Sequence, residues 1–323
     1  MTQGATSWRR RLPQLAGIGI LAVIIPALAG FAPQFGWVFE LASHFRAQYL
    51  WGLLGASLVC LLLRQRWLAL VGGGLALVHL GLVLPYYGTR PVPAEPGEPL
   101  RIVSLNVFGR NRDHARVCDF VRQSDPDVAV FLEVNSSWGE ALQELTDEWP
   151  HSLTESQFGN FGVAIYSKRP LEAARIEFLG QGIPAIVATV RAGQMPVTIF
   201  GAHPHSPISP QDASDRDASL SLLGKLASDR TSHRLIVGDL NCTSWTPVFA
   251  RLLEVAGLRD SRLGWGLQTS WPAYFPPLLR IPIDHCLVSP GIDVLRHEIG
   301  PAVGSDHLPV IVDLRISQPV EQP

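Results

Sequence analysis

The chain has 323 residues, of which 47% are hydrophobic and 17% charged, with a formal net charge of −2. So little charge beside so much apolar side chain excludes an intrinsically disordered protein, and four cysteines over this length exclude a disulfide-stapled miniprotein. The charge is also divided, because residues 1–99 carry a net of +4 and residues 100–323 a net of −6.

No Asp, Glu, Lys or Arg occurs from Leu12 to Phe39, from Ala47 to Leu63 or from Trp67 to Thr89, windows of 28, 17 and 23 residues. A bilayer core of ~30 Å takes roughly 20 helical residues. The windows therefore predict three spanning helices, near 14–32, 47–63 and 67–87. Pro26 is tolerated in a membrane helix, and Trp67 at one end of the third segment with Tyr86 and Tyr87 at the other makes an interfacial aromatic pattern. Buried helices of a soluble domain would need a polar face that these segments lack. A cleaved signal peptide behind Arg9, Arg10 and Arg11 would account for the first segment alone. Those arginines, with Arg64 and Arg66 in the second loop, predict a cytoplasmic N-terminus, since the first loop has only Arg46 against Glu40. Three crossings then place everything after residue 88 outside the cytoplasm. His79 in the third segment reads as a helix–helix hydrogen-bonding group.

Residues 90–99 contain four prolines, a composition that favours an extended, semi-rigid spacer. The organisation that follows is a transmembrane region over 1–89, a linker over 90–99, a second domain over 100–317 and a tail over 318–323. In the second domain, short apolar runs predict strands at Arg101–Val107, Asp127–Glu133, Gly162–Ser167, Ala185–Arg191, Pro196–His203, His233–Asp239, Ile281–Ser289 and Leu308–Ile316. Helices fit 112–124, 137–148, 211–229 and 245–257, the third with a Leu220, Leu223, Leu226 stripe and Asp212 in its first turn. Mixed helices and strands over this length suggest an α/β or α+β sandwich.

Polar residues interrupt the strand ends. Asn106, Glu133 and His203 each close an apolar run; Asp239 and Asn241 close another; Asp284 and His285 interrupt Ile281–Val288; and Ser305, Asp306 and His307 precede Leu308. Singly, such residues are most often turns, caps or solvated ends. Six interruptions in one domain, all drawn from site-building residue types, point instead to a site assembled at strand ends. Carboxylates and Asn suit a hard, oxygen-binding cation, and histidines beside carboxylates supply proton transfer and charge stabilisation. Together they are the equipment for phosphate-ester hydrolysis.

The order of Ser104-Leu-Asn-Val107, Asp125-Pro-Asp-Val-Ala-Val-Phe-Leu-Glu-Val134, Ala202-His203, Gly238-Asp-Leu-Asn241, Ile283-Asp-His285 and Gly304-Ser-Asp-His-Leu-Pro309 resembles the endonuclease/exonuclease/phosphatase superfamily, with its deoxyribonuclease I-like fold. With apolar segments in front, the chain resembles the membrane-anchored bacterial branch, a multi-pass inner-membrane protein. The resemblance implies a four-layer α-β-β-α sandwich and a divalent-metal-dependent hydrolase. By the same resemblance Glu133 is the main ligand of Mg²⁺ or Mn²⁺, with Asn106 beside it and Asp306 completing the site. Asp239 orients or deprotonates the attacking water, and Asn241 binds a phosphate oxygen. His307, paired with Asp284, is a general base or a stabilising cation, and His203 donates to the phosphate or the leaving group. Phe108 stands where some nucleases have an acidic residue and Leu132 where Gln is common, and in His203-Pro-His205 the second ring competes for the first one's role.

A phosphodiester, a phosphomonoester, a lipid headgroup and extracytoplasmic nucleic acid are all candidate substrates, and a catalytically inactive scaffold is the alternative. The −6 charge and only two lysines, Lys168 and Lys225, disfavour a nonspecific DNA binder. The apolar loop from Trp265 to Leu279 either meets lipid or packs inside. Cys242 and Cys286 are either a disulfide pair or buried free thiols.

Overall fold

The computed structural model describes residues 3–90, 96–229 and 232–317. The chain divides into two compact units, Met1–Tyr87 and Gly88–Pro323. The first unit is helical: α1 (Gln3–Ala29), α2 (Trp37–Ser43), α3 (Arg46–Leu62) and α4 (Arg66–Val83). Two stretches, Arg11–Ala29 and Arg66–Tyr87, are long and apolar enough to cross a membrane, each with a mean hydropathy of 2.1. The middle helix lies within a residue of the expected 47–63 but does not pass as a span by itself. At 17 residues α3 is short, and it reaches spanning length only together with α2, from which it is bent by 71°.

This unit is apolar on its outside as well as its inside. Ile20, Leu53 and Ala76 are buried while Ile25, Leu58 and Leu77 are exposed, so no polar face separates core from surroundings. A Cβ on Gly72 of α4 would lie 2.4 Å from Ser57 Oγ and 2.7 Å from Ile20 Cδ1, a close approach that only glycine permits. His79 is not the interhelical hydrogen-bonding group expected. Its ring is buried with both nitrogens unpartnered and packs against Phe31 and Tyr49 at 5.4 and 5.5 Å between centroids.

In the second unit, residues 91–95 of the expected spacer lie outside the described residues, as does the tail from 318. Strand β1 (Gly97–Asn106) begins inside that proline-rich stretch, because β12 (Val310–Ser317) runs long enough to pair Ser317 with Gly97. The other strands are β2 (Val128–Leu132), β3 (His151–Glu155), β4 (Val163–Ser167), β5 (Glu172–Leu179), β6 (Ile183–Ala192), β7 (Met195–Ala202), β8 (His233–Asp239), β9 (Arg259–Asp260), β10 (Asp284–Val288) and β11 (Ile292–Ile299). The helices are α5 (His114–Ser124), α6 (Ser136–Ala141), α7 (Pro210–Leu226) and α8 (Pro247–Ala256). The helix expected over 137–148 ends at Ala141, and a 3₁₀ turn, Leu142–Leu145, follows it. Strands β3, β5, β9 and β11 were not foreseen. Each is an edge strand of its sheet, with little of the continuous apolar run that marks the central ones.

The strands form two six-stranded sheets, ordered β11-β12-β1-β2-β4-β3 and β5-β6-β7-β8-β10-β9. One buried cluster takes residues from both, Ile102, Val130 and Val312 from the first sheet and Ile186, Ile199 and Val237 from the second. A second joins Leu105 and Phe131 to Val117 of α5 and Trp138 of α6. A third joins Phe200 and Ile236 to Leu220 of α7 and Phe249 of α8. Helices thus cover the outer face of each sheet, giving an α-β-β-α sandwich.

Each sheet contains one parallel pair at its centre, β1 with β2 and β7 with β8. Parallel neighbours need a crossover, supplied here by α5 and α7. Two strands joined in this way end at the same edge, and that brings Asn106, Glu133, His203 and Asp239 to one rim. The antiparallel partners close the set: Asp284 lies opposite Asp239, and β12 starts opposite Ser104, just after His307.

Behind this rim lies a buried ionic pair. Arg262, fully buried, donates to Asp260 through Nη2 at 2.8 Å and Nε at 3.2 Å, and His285 Nδ1 accepts from the same guanidinium at 3.2 Å while its Nε2 donates to Cys242 O at 2.7 Å. Removing one charge strands the other in a dry interior. Asp260→Ala is expected to cost about 3–5 kcal/mol, read as a lowered thermal midpoint of the purified chain in detergent.

Candidate active site

Asn106 joins the two sheets at the rim. Its Nδ2 donates to Glu133 Oε1 at 3.0 Å on the neighbouring strand and to Asp239 Oδ2 at 3.2 Å on the facing sheet. Its Oδ1 accepts from Phe108 N at 3.0 Å, and its carbonyl accepts from Ser305 Oγ at 2.6 Å. Glu133 Oε2 accepts from Gly109 N at 3.0 Å, so a backbone amide and a side-chain amide fix its carboxylate.

The local backbone is unusual in ways that aim side chains. Phe108, Glu133 and Asn241 have φ of 57°, 60° and 50°, in the left-handed region that side chains rarely adopt. Gly238, with φ 142°, passes so close to β7 that an added Cβ would lie 2.1 Å from Ala202 O. Only glycine allows β8 to reach Asp239 with this spacing.

His307 sits between two carboxylates. Its Nδ1 is 2.9 Å from Asp284 Oδ2 and its Nε2 3.6 Å from Asp239 Oδ2. Its backbone N donates to Ser305 Oγ at 3.0 Å. Burial disfavours the charged ring, but Asp284 and Asp239 outweigh it and raise its pKa to about 10. Burial likewise opposes the Asp239 carboxylate, yet His307 and His203 hold it down to about 2. Asp284 is pushed up, by burial first and by the Asp239 charge next to it, against the pull of His307.

His203 donates from Nδ1 to Asn160 O at 2.8 Å and faces Asp239 Oδ2 with Nε2 at 3.4 Å. Burial opposes its protonation, and the Asp239 hydrogen bond raises its pKa on balance. His205 does not share that position. Its ring lies 4.8 Å from Phe161 between centroids and its Nδ1 has no partner. Asn241 donates from its backbone to Asp239 Oδ1 at 3.0 Å and from Nδ2 to Pro204 O at 2.9 Å, holding both the carboxylate and the loop after His203. Asp306 makes no hydrogen bond to Asn106 or Glu133: its Oδ2 accepts from Trp271 Nε1 at 3.3 Å and its Oδ1 is buried without a partner.

Several groups here were not foreseen. Gly109 N holds Glu133, Asn160 O holds His203, Ser270 Oγ accepts from Asp284 N at 3.4 Å, and Trp271 holds Asp306. Three of these contacts run through a backbone group, which leaves no trace in residue identity. The polar, glycine-bearing turn around Asn160 is the one weak signal that a loop returns there.

The donor set fits a hard divalent cation. Both Glu133 oxygens accept a single N–H each, and the Asp306 Oδ1 is a buried oxygen that nothing satisfies. A tighter group, Asp239, Asp284 and His307, has ligand atoms within 4.8 Å of one another. There, however, each ring nitrogen faces a carboxylate oxygen, the arrangement of an imidazolium ion pair and not of a ring offering a lone pair to a metal. All four cysteines are buried and outside any disulfide, and burial pushes the Cys286 thiol up to about 12.

The sequence matches the model of the Endonuclease/Exonuclease/phosphatase family over residues 103–307. The chain belongs to that family. Its members hydrolyse phosphoester bonds, so this chain is a hydrolase acting on ester bonds, and divalent-metal dependence is typical of them. Among solved structures, an endonuclease/exonuclease/phosphatase from Beutenbergia cavernae is similar with a TM-score of 0.56 at 19% identity, over 68% of this chain and 72% of that one. TDP2 of D. rerio, complexed with single strand DNA product, gives a TM-score of 0.58 at 17% identity over 67% of this chain and 99% of that one. A conserved protein from Enterococcus faecalis gives 0.57 at 18% identity over 68% and 100%. At these identities the likeness is one of fold. A comparison with curated proteins gives no significant match.

The His307 contact has a pH signature. Its raised pKa means that its contribution to stability is complete below the ordinary histidine value of ~6.5 and is lost as pH rises through about 10. Asp239, depressed, contributes above the ordinary carboxylate value and loses that as pH falls toward about 2. Denaturant midpoints of the metal-free chain between neutral pH and pH 10.5 are expected to fall in the wild type and to change far less in His307→Gln.

Proposed function

We propose that the chain is a membrane-anchored, divalent-metal-dependent phosphoesterase that hydrolyses a phosphodiester or phosphomonoester outside the cytoplasm. The observation that carries the reading is the Asp284–His307–Asp239–His203 row beside the Asn106–Glu133 pair, at one edge of both sheets. Glu133, with Asn106 fixing its orientation and Asp306 Oδ1 free to contribute, would hold Mg²⁺ or Mn²⁺. Such an ion polarises a phosphoryl oxygen and neutralises charge developing on it.

The protein's own groups divide the remaining work. Asp239 is anionic and faces both rings through Oδ2, which suits it to orient the attacking water and draw off its proton. His307 has a carboxylate at each nitrogen and so has no lone pair to act as base; it serves as a fixed cation toward the phosphoryl oxygens, with Asp284 holding its orientation. His203, held through Nδ1 by Asn160 O, offers Nε2–H to the phosphate or the leaving oxygen. Asn241 lines the same edge and would contact a phosphate oxygen.

Anchoring rests on the apolar helices of the first unit, with α2 and α3 together making the middle of three spans. The arginines at 9–11, 64 and 66 favour a cytoplasmic N-terminus and put the catalytic unit on the far side of a bacterial inner membrane. A small or lipid-borne phosphoester fits the −6 charge of residues 100–323 better than long nucleic acid does.

The full chain in detergent is expected to release p-nitrophenol from bis-p-nitrophenyl phosphate with Mg²⁺ or Mn²⁺ and to stop with EDTA. Glu133→Ala should abolish metal-dependent turnover, and Asp239→Asn or His307→Ala should each lower it about 100-fold or more. Turnover that survives EDTA and Glu133→Ala alike would refute the reading. Single-stranded DNA cleaved faster than the small diester would move the substrate to nucleic acid. For topology, protease added to intact spheroplasts is expected to remove the catalytic unit; full protection there, with cleavage only after lysis, would reverse the orientation.

A further inference from the structure

The second unit carries its most exposed large apolar side chains on loops that adjoin the site residues. Phe158 is 107% exposed, Ile208 79% and Tyr274 72%, and no other large apolar residue described in this unit reaches 60%. Each sits on a loop tied to a site residue. Phe158 is two residues before Asn160, whose carbonyl holds His203. Ile208 follows Pro204, whose carbonyl holds Asn241 Nδ2. Tyr274 follows Ala273, whose N donates to Asp306 O at 2.7 Å.

The third loop is the most developed. Trp265–Ala273 is buried or half-buried, in line with the packed reading of this loop, but Tyr274–Leu279 is not: Tyr274, Phe275, Leu278 and Leu279 all lie exposed. The tip is not a slack segment. Arg280 donates through Nε to Phe275 O at 2.6 Å and through Nη2 to Ala273 O at 2.8 Å. Thr269 Oγ1 donates to Pro277 O at 3.1 Å, and a 3₁₀ turn spans Pro277–Leu279. A rigid, uncharged knob of this composition, held out to solvent, costs solubility unless something covers it. Scattered exposed apolar residues, such as Phe178 on β5 and Leu222 on α7, need no explanation; the three most exposed, each on a loop tied to one site, do.

We propose that this rim docks on a bilayer surface, so that the enzyme takes a phosphoester presented at the lipid–water interface. Lipid is the occupant that the chain itself indicates, because the same polypeptide carries two helices long and apolar enough to cross a membrane. The mixture of Tyr and Phe with Leu and Ile is the composition of a segment that enters the headgroup boundary by roughly 5–10 Å. The proposal rests on the reading of those helices as membrane spans, and it names the surface on which the site works.

The test uses the full chain in nanodiscs of phosphatidylglycerol and phosphatidylcholine containing doxyl-labelled phosphatidylcholine. All four native thiols are buried, so Leu278→Cys and, separately, Phe158→Cys place a single accessible thiol for an environment-sensitive fluorophore. Gln194→Cys is the control, exposed in the turn before β7, at the opposite end of that strand from His203. Probes at 278 and 158 are expected to shift to the blue and to be quenched about threefold more than the probe at 194. Equal quenching at all three positions overturns the docking while leaving anchoring intact. Failure of the chain to enter nanodiscs removes the anchoring and the docking together. Turnover of bis-p-nitrophenyl phosphate, measured on the same labelled proteins, reports separately on the phosphoesterase reading.

Discussion

Two carboxylates face each other across adjacent antiparallel strands, Asp239 on β8 and Asp284 on β10, and both are almost fully buried. That placement would be prohibitive without a cation between them. His307 supplies it, and because His307 belongs to the first sheet's β12 arm while the carboxylates belong to the second, the ion pair also joins the sheets at the rim. Asn106 makes the same join from the other side, reaching from β1 to Glu133 and Asp239. The sandwich therefore closes at this edge through charge and amide contacts, and along the rest of its length through the apolar cluster between the sheets.

The electrostatic contrast between neighbouring histidines follows from what each one meets. His285 and His307 each follow an aspartate in sequence. His307 lies between Asp284 and Asp239 and keeps its proton. His285 points the opposite way from Asp284, as successive residues in a strand must, and meets the Arg262 guanidinium in a dry pocket, where burial first and that cation second lower its pKa to about 3. Environments that push like residues apart in this way separate a charged, site-facing group from a neutral, supporting one. The Arg262–Asp260 pair behind β10 accordingly supports the strand that carries Asp284.

Much of this was legible in the chain because central strands announce themselves. Val128–Leu132 and His233–Asp239 are buried on both faces, so an uninterrupted apolar run that ends in Glu133 or Asp239 marks both the strand and the position of its end. Parallel pairing then forces those ends to one edge. Edge strands give no such signal: β5 is exposed over most of its length, and β11 carries Arg296 and Glu298 at its outer positions. Orientation at the site was legible only as residue type. That Glu133 is fixed by a backbone amide of Gly109, or His203 by the carbonyl of Asn160, depends on loops that return from elsewhere in the chain, and a main-chain donor is the same whatever its side chain. The three-residue spacing of Asp239, Leu240 and Asn241 was visible, but not that Asn241 turns left-handed to give its backbone N–H to the aspartate before it.

The loops that hold the site are also those that carry its exposed apolar residues, and the coupling has a physical basis. A loop that places a catalytic group within a few tenths of an ångström must be stiff, and two of these loops are tied down by hydrogen bonds: Arg280 across the 273–280 tip and Asn241 to the Pro204 carbonyl at the start of the 203–208 segment. Stiffness of this kind lets an apolar side chain stay out in solvent where a mobile loop would fold it back against the surface. The geometry that orders Asp306, through Ala273 and Trp271, is therefore the same geometry that presents Tyr274 and its neighbours outward. An enzyme that must act on a group lying at an apolar boundary has both requirements at once, a fixed polar constellation and a fixed apolar rim around it, and in this fold one set of loops meets them together.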